Sequence, residues 1–241
     1  MVWTEILLIV LLSIGFSAGA YLAKLLSWDG AVAAAAVGLA VGLLGSIRWL
    51  LVIIAFTLLG FLATLSNISE KKERGLQEGR HGERRARNVL GVGVPCIFAA
   101  LFGLIPGVDP TMASVAFISA VSVAAADTVA SEIGVKSENV RLITNMKKVP
   151  VGTDGGVSLY GTGVALLGAV VSTAIGWVVI FGISYDALVF VPIVAGLAGC
   201  MMDSVLGATV ESRGFISKYA NNALTGVFGA LLAATIVHLL F

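Results

Sequence analysis

The chain has 241 residues, of which 58% are hydrophobic and only 12% are Asp, Glu, Lys or Arg. A soluble domain carries roughly 25% charged residues, so this composition excludes a disordered chain, a coiled coil and an ordinary soluble α/β enzyme. It indicates a polytopic membrane protein, because each spanning helix needs about 20 mostly apolar residues. The formal net charge of +1 gives no reason to expect nucleic acid as a partner.

Eight apolar stretches predict an all-α fold of about eight transmembrane helices, which form a single transmembrane domain over residues 1–241. The stretches cover residues 3–26, 30–47, 49–66, 89–105, 111–131, 159–182, 187–209 and 220–241. The first stretch carries Glu5, lacks a basic leader and is about as long as a full span. We therefore interpret it as a helix of the domain rather than as a signal peptide.

The basic residues predict how the helices are oriented. Seven Lys and Arg residues lie in the loop 67–88, four lie in the loop 132–158, two follow the seventh span and Lys24 closes the first. Eight spans place all of these on one side of the membrane and only Arg48 on the other. Since basic loops face the cytoplasm, we predict cytoplasmic loops at 67–88 and 132–158. Both termini are then extracytoplasmic, in an integral protein of the cell membrane.

Two aspartates lie inside predicted spans, where an ionised side chain costs about 2.5 kcal/mol or more to insert. Asp127 lies near the cytoplasmic end of the fifth span, with Glu132 five residues later, and Asp203 lies at the same relative depth in the seventh. Mg²⁺ takes carboxylate oxygens together with water and substrate phosphates, so we interpret these three acids as a metal site. The alternative is that each aspartate caps or hydrogen-bonds a neighbouring helix, or lies in the headgroup layer.

The loop that follows the fifth span has the composition of an anion-binding loop. Arg141, Lys147 and Lys148 precede the string PVGTDGG at 150–156, and Ser158 then opens the sixth span. Glycines allow backbone N–H groups to approach a phosphate, lysines supply charge, and a helix N-terminus favours an anion. The string is not a Walker A loop, because the sequence contains no G-x-x-x-x-G-K-[ST] pattern. A flexible basic turn is the alternative interpretation.

Two further groups of polar residues fall on the same predicted side of the membrane. Asn221 opens the eighth span, where helix capping is the alternative to a role in a site. The residues just before the fourth span could hold a lipid phosphate, or else anchor the topology through headgroup contacts: these are Arg84, Arg85, Arg87 and Asn88. Acids that hold a metal beside bases that hold phosphate are typical of phosphoryl or nucleotidyl transfer, here onto a lipid.

Three strings carry a resemblance to a known family: DTVASEIG at 127–134, RLITNMKKVPVGTDGGVSLYGT at 141–162 and MDSVLGATVE at 202–211. In these strings the sequence resembles the integral-membrane phytyl-phosphate kinases of the vitamin E pathway and their bacterial and archaeal relatives. The resemblance implies transfer of the γ-phosphate of a nucleotide, typically CTP, to an isoprenoid monophosphate to give the diphosphate. The positions that match the motifs of the family are Asp127, Glu132, Arg141, Lys147, Lys148, Thr153, Asp154, Gly155, Gly156, Asp203 and Asn221.

The resemblance does not fix the role of each residue, so we assign the roles on chemical grounds. Asp127 and Asp203 hold Mg²⁺, with Glu132 close by, and act together with Lys147 as the catalytic residues. The lipid phosphate is assigned to Arg84, Arg85, Arg87 and Asn88. The phosphates of CTP, or of another nucleoside triphosphate, are assigned to Arg141, Lys147, Lys148, Gly152, Thr153, Asp154, Gly155, Gly156, Ser158 and Asn221.

The acceptor is expected to be an isoprenoid phosphate whose chain lies in a cleft between glycine-rich spans, open to the lipid bilayer, with the active site facing the cytoplasm. A phosphate monoester has a second pKa of about 6 and is nucleophilic without a general base. An alcohol acceptor would need such a base, and the residues alone leave both acceptors open. A membrane lipid cytidylyltransferase, a prenol kinase and, from another class, a cation- or proton-coupled transporter are the alternatives. A homo-oligomer is also left open.

Overall fold

The computed structural model describes residues 2–66 and 83–240, and within them the protein is an all-α polytopic membrane protein. Its eight long helices correspond to the eight predicted spans, with ends that differ by a few residues. They are α1 (Trp3–Leu22), α2 (Trp28–Leu44), α3 (Ile47–Ser66), α4 (Ala86–Phe102), α5 (Pro110–Ile133), α6 (Leu159–Phe181), α7 (Phe190–Leu206) and α8 (Lys218–Leu240). Residues 67–82 of the predicted basic loop 67–88 lie outside the described residues.

Six of these helices are long and apolar enough to cross a membrane, whereas α2 and α4 are shorter apolar helices of 17 residues each. Seventeen residues is the lower end of the length that spans a bilayer. The prediction of an all-α polytopic fold is therefore confirmed, with two of the eight helices at the short limit.

Polar residues mark where several helices begin. The Ser27 side chain accepts a hydrogen bond from the Gly30 N–H and caps α2, and Ser158 accepts one from the Gly161 N–H and caps α6. Asp109 caps α5 by accepting from Met112 and Thr111, directly before Pro110 at the first helical position. The hydrogen bonds from the backbone N–H groups of Met112, which has the larger effect, and Thr111 lower the pKa of Asp109 below its usual value.

Helix α5 forms the centre of the bundle. In its apolar window 72% of the residues are buried, against 22–39% in the other candidate spans. Glycines of its neighbours allow this close packing, since Gly196 and Gly199 of α7 and Gly229 of α8 lie directly against α5. A residue at the end of α5 is therefore surrounded by the ends of several other helices.

The segment between α5 and α6 is folded back on itself as a small hairpin. A 3-10 turn covers Gly134–Lys136, and strand β1 (Arg141–Leu142) then pairs antiparallel with strand β2 (Gly156–Val157). Helix α7 continues past Leu206 into a π-helical turn over Gly207–Glu211. The hairpin and this π-helical turn form the end of the bundle at which the candidate site lies.

Candidate active site

A cleft of about 250 Å³ opens where α5, α6, α7 and the second half of the hairpin segment meet. Asp127 lines it from α5, and Asp203 and Ser204 line it from α7. The hairpin contributes the unbroken run 151–158, and α8 contributes Lys218. The cleft thus brings together residues from all three strings that carry the family resemblance.

Asp127 and Asp203 are the two acids that helices contribute to the cleft, and the hairpin contributes a third, Asp154. Asp127 stands six residues before the end of α5, and Asp203 stands just before the π-helical turn of α7. Single π-helical turns occur frequently at functional sites. Asn222 of α8 donates to the Asp127 carboxylate, with Nδ2 at 3.5 Å from Oδ2. Two aspartates that lie more than 70 residues apart in the sequence therefore line one space.

Asn221 of α8 is a buried residue whose side chain forms hydrogen bonds with the end of α7 and its π-helical turn. Its side chain is 1% exposed, and its Nδ2 donates to the Asp203 backbone carbonyl at 3.1 Å and to Glu211 Oε2 at 2.9 Å. In the described part of the chain, two buried oxygens here accept no hydrogen bond: Oδ1 of Asp203 and Oδ1 of Asn221. Buried oxygens are normally paired, and carboxylate and amide oxygens are the ligands that Mg²⁺ prefers. Asp203 lines the cleft and Asn221 does not, so the unpaired Asp203 oxygen is the one that could serve a divalent cation there.

The glycine-rich run forms a fixed wall of the cleft. Gly152 and Gly155 have positive φ angles of 85° and 75°, which L-residues with side chains rarely adopt. A Cβ on Gly155 would lie 2.4 Å from the Ala208 Cβ and 2.6 Å from the Ser204 carbonyl oxygen. The backbone of the hairpin thus lies directly on the end of α7, within one turn of Asp203.

The basic residues assigned to the nucleotide phosphates lie outside this cleft. Arg141, Lys147 and Lys148 are exposed on the hairpin, and Arg141 Nη1 donates to the Met146 carbonyl at 2.9 Å. None of the three lines the cleft, whereas Lys218 does. Lys218 is not among the residues predicted for the site, although it stands one helical turn before Asn221 and Asn222 and therefore shares their side of α8.

Glu132 does not line the cleft with the two aspartates, although it shares a smaller neighbouring cavity with Asp127. It follows Asp127 by five residues, about 140° around a helix of 3.6 residues per turn, and it is buried with its Oε1 3.9 Å from Arg84 Nη2. Within the described residues, no group of three His, Cys, Asp or Glu side chains is placed to hold a metal ion. Of the three acids assigned to Mg²⁺, Asp127 and Asp203 line the cleft together, whereas Glu132 does not line it.

Glu132 instead lines a smaller cavity of about 40 Å³ on the other side of Asp127. Of the residues assigned to the lipid phosphate, Arg84 and Asn88 line this cavity, and Arg85 and Arg87 do not. The Arg87 guanidinium lies over the Tyr219 ring, 4.7 Å from its centroid. Asp127, Ser131 and Lys218 line both the cleft and the smaller cavity, so the two spaces are neighbours.

Comparison with known proteins places these observations in a family. The model of the integral membrane protein family DUF92 matches residues 11–230. An uncharacterized membrane protein of Methanocaldococcus jannaschii is 31% identical, over 78% of this chain and 76% of the relative. The chloroplastic protein VTE6 of Arabidopsis thaliana is 28% identical, over 82% of this chain and 62% of that protein. No solved structure matches the chain significantly.

Proposed function

The chain belongs to the DUF92 family of integral membrane proteins, and from this premise we propose that it is a membrane kinase that transfers the γ-phosphate of CTP, or of another nucleoside triphosphate, to an isoprenoid monophosphate. The observation that carries the proposal is the cleft in which Asp127, Asp203 and the glycine-rich wall 152–156 meet. The match with VTE6 and the resemblance of the three strings to prenyl-phosphate kinases support it.

The nucleotide phosphates belong beside the two aspartates. Asp127 and Asp203, which line the cleft together, would hold Mg²⁺. Mg²⁺, when bound, would neutralise the charge that spreads over the transferred phosphoryl group and the leaving diphosphate. Lys218 adds positive charge from the opposite side of the cleft, and the glycine-rich wall lets the backbone approach the phosphates.

The acceptor needs no general base from the protein. Its phosphate has a second pKa of about 6 and is mostly dianionic at neutral pH. One of its oxygens attacks the γ-phosphorus, the bond from that phosphorus to the β,γ-bridging oxygen breaks, and CDP leaves with the bonding electrons. Catalysis then consists of positioning two anions and neutralising their charge. Lys218 supplies positive charge directly, and the aspartates would supply it through the Mg²⁺ that they hold.

Product identification tests this function. Purified protein receives Mg²⁺, geranylgeranyl monophosphate and CTP that carries one label in the γ-phosphate and a second in the cytosine. The proposal predicts γ-label in the prenyl diphosphate and cytosine label in CDP. Cytosine label in the lipid, with release of pyrophosphate, would identify a cytidylyltransferase instead. Turnover of geranylgeraniol but not of its phosphate would identify a prenol kinase, and no transfer from any of the four common nucleoside triphosphates would reject the enzyme.

A further inference from the structure

A third cavity lies deeper in the membrane domain, between α1, α2, α3 and α4. Its volume is about 80 Å³. Its walls are mostly apolar, with Phe16 from α1, Val37 from α2, Phe56 from α3 and Val92 from α4. An apolar space of this size inside a helix bundle accommodates a short length of hydrocarbon chain, not a nucleotide.

The apolar cavity ends at the residues that also line the small polar cavity. Arg84, Asn88 and Val92 belong to both. The small cavity in turn shares Asp127 and Lys218 with the cleft. The three spaces therefore stand in series, and the cations Arg84 and Lys218 lie between the apolar space and the aspartates.

Arg84 is held firmly at this junction. Its N–H donates to the Leu25 carbonyl at 3.0 Å, and its carbonyl accepts from the Ser27 N–H at 3.1 Å, so its backbone pairs with the connection between α1 and α2. Its guanidinium lies 3.4 Å from Thr64 Oγ1 of α3 and 3.9 Å from Glu132 Oε1 of α5. A guanidinium fixed in this way matches the geometry of a phosphate, which it binds through two parallel hydrogen bonds.

We propose that the apolar cavity receives the first isoprene units of the acceptor, while Arg84 and Asn88 hold its phosphate towards Asp127. This inference rests on the proposed function, since it names the place of the lipid substrate in the same site. The remainder of the chain extends between the helices into the bilayer. The cavity thus encloses only the part of the chain next to the phosphate and makes no contact with the distal part.

Binding is tested without nucleotide, so that the result does not depend on turnover. The protein is reconstituted in phosphatidylcholine vesicles with a farnesyl monophosphate that carries a diazirine on its first isoprene unit, irradiated and mapped by mass spectrometry. Labelling is expected on α3 and α4 within 53–61 and 88–96, and an excess of geranylgeranyl monophosphate should compete with it. Arg84→Ala should weaken binding about tenfold or more, because a charge-assisted hydrogen bond contributes about 1.5–3 kcal/mol.

A wall residue tests whether the cavity itself is occupied. A Cβ on Gly60, which lines the cavity, would meet only Thr128 Cγ2 at 3.8 Å, an ordinary contact. Gly60→Ala is therefore expected to fold and to label like the wild type, whereas Gly60→Leu fills the cavity and should reduce labelling at least about fivefold, the loss that a 1 kcal/mol penalty produces. Gly19→Leu is the control, because Gly19 is exposed on α1 with no neighbouring atom within 4 Å.

Two results would overturn the inference. Label confined to the outer surface of α1, and unchanged by Arg84→Ala or by competitor, would show that the analogue dissolves in the bilayer and that the cavity holds none of it. Equal labelling of Gly60→Leu and wild type, both monodisperse by size-exclusion chromatography, would place the chain elsewhere. Either result leaves the kinase assay intact, and a failed kinase assay leaves the binding result interpretable.

Discussion

Asp203 and Asn221 contribute a pair of buried oxygens that the protein itself, over its described residues, does not satisfy. An unpaired buried acceptor costs about 1–3 kcal/mol. Asp203 lines the cleft, where a bound cation would satisfy its free oxygen, whereas a purely structural aspartate would be expected to be paired.

Mg²⁺ should therefore stabilise the folded protein. A ligand at a hundredfold excess over its Kd contributes about 2.7 kcal/mol of stability, so a thermal unfolding scan of the detergent-purified protein should show a higher Tm with Mg²⁺ than with EDTA. Asp203→Asn should abolish the difference, because the amide lacks the charge. Asp186→Asn, at the opposite end of α7, should keep it; an undiminished Mg²⁺ effect in Asp203→Asn would contradict the assignment.

Among the described lysines, Lys218 lines the cleft, and this predicts a ranking among lysine variants. Lys218→Ala should lower kcat/KM for the nucleotide about 10- to 100-fold, the loss expected when a charge-assisted contact to phosphate is removed. Lys147→Ala and Lys148→Ala should lose less, because both side chains are exposed on the hairpin. Lys136→Ala is the control. A larger loss of kcat/KM in Lys147→Ala than in Lys218→Ala would show that the hairpin lysine, and not Lys218, contacts the nucleotide phosphates.

Among the elements, the hairpin and the π-helical turn of α7 act as one unit. Gly155 lies on Ser204 and Ala208, and a Cβ on Gly207 would meet the Gly155 nitrogen at 3.0 Å. The hairpin and the end of α7 therefore fix their relative positions through backbone contacts that leave no room for a side chain. The cleft keeps its shape because of this contact.

Gly155→Ala should displace the hairpin from α7. The substitution forces an L-residue to a φ of 75°, at a cost of about 1–2 kcal/mol, and its Cβ would overlap Ala208. We expect a lower Tm and a higher KM for the nucleotide. Gly163→Ala, in α6 with no atom within 4 Å of the added Cβ, should change neither. Wild-type values in Gly155→Ala would show that the contact is dispensable.

The elements were predictable from the sequence, because hydropathy marks a span and Ser158 marks the start of a helix directly. The direction in which a polar side chain points was not, since helix packing decides it. Asp127 and Glu132 are five residues apart, and Glu132 does not line the cleft, whereas Ser131, one helical turn after Asp127, shares the cleft with it. The pairing of the hairpin, which leaves Lys147 and Lys148 outside the cleft, likewise depends on contacts between distant residues.

For the whole molecule, the charge pattern of the loops predicts how the protein is oriented in the membrane, and cysteine labelling tests this prediction. Positive-inside topology predicts that Glu138→Cys, in the hairpin segment, reacts with a membrane-impermeant maleimide only from the cytoplasmic side. Ser184→Cys, between α6 and α7, should react only from outside. Both native cysteines are buried, so their background is low. Reaction of Glu138→Cys in intact cells would invert the topology.

At the scale of the whole molecule, three neighbouring spaces share lining residues from one to the next. A polar cleft, a small charged cavity and an apolar cavity follow one another from the hairpin into the membrane domain. This order matches a substrate whose one end is a phosphate and whose other end is hydrocarbon, meeting a nucleotide at the aspartates. The central claim is that the cleft between α5 and α7 is the place of transfer.

The most direct test measures γ-phosphate transfer from CTP to geranylgeranyl monophosphate by the wild type and by Asp127→Asn, Asp203→Asn and Asp186→Asn. Loss of a charge that holds the metal and the phosphates should reduce kcat about a thousandfold in the first two variants, a loss of about 4 kcal/mol in transition-state stabilisation. Asp186→Asn should retain the wild-type rate. Transfer at the wild-type rate by folded Asp127→Asn and Asp203→Asn would contradict the claim and move the reaction away from this cleft.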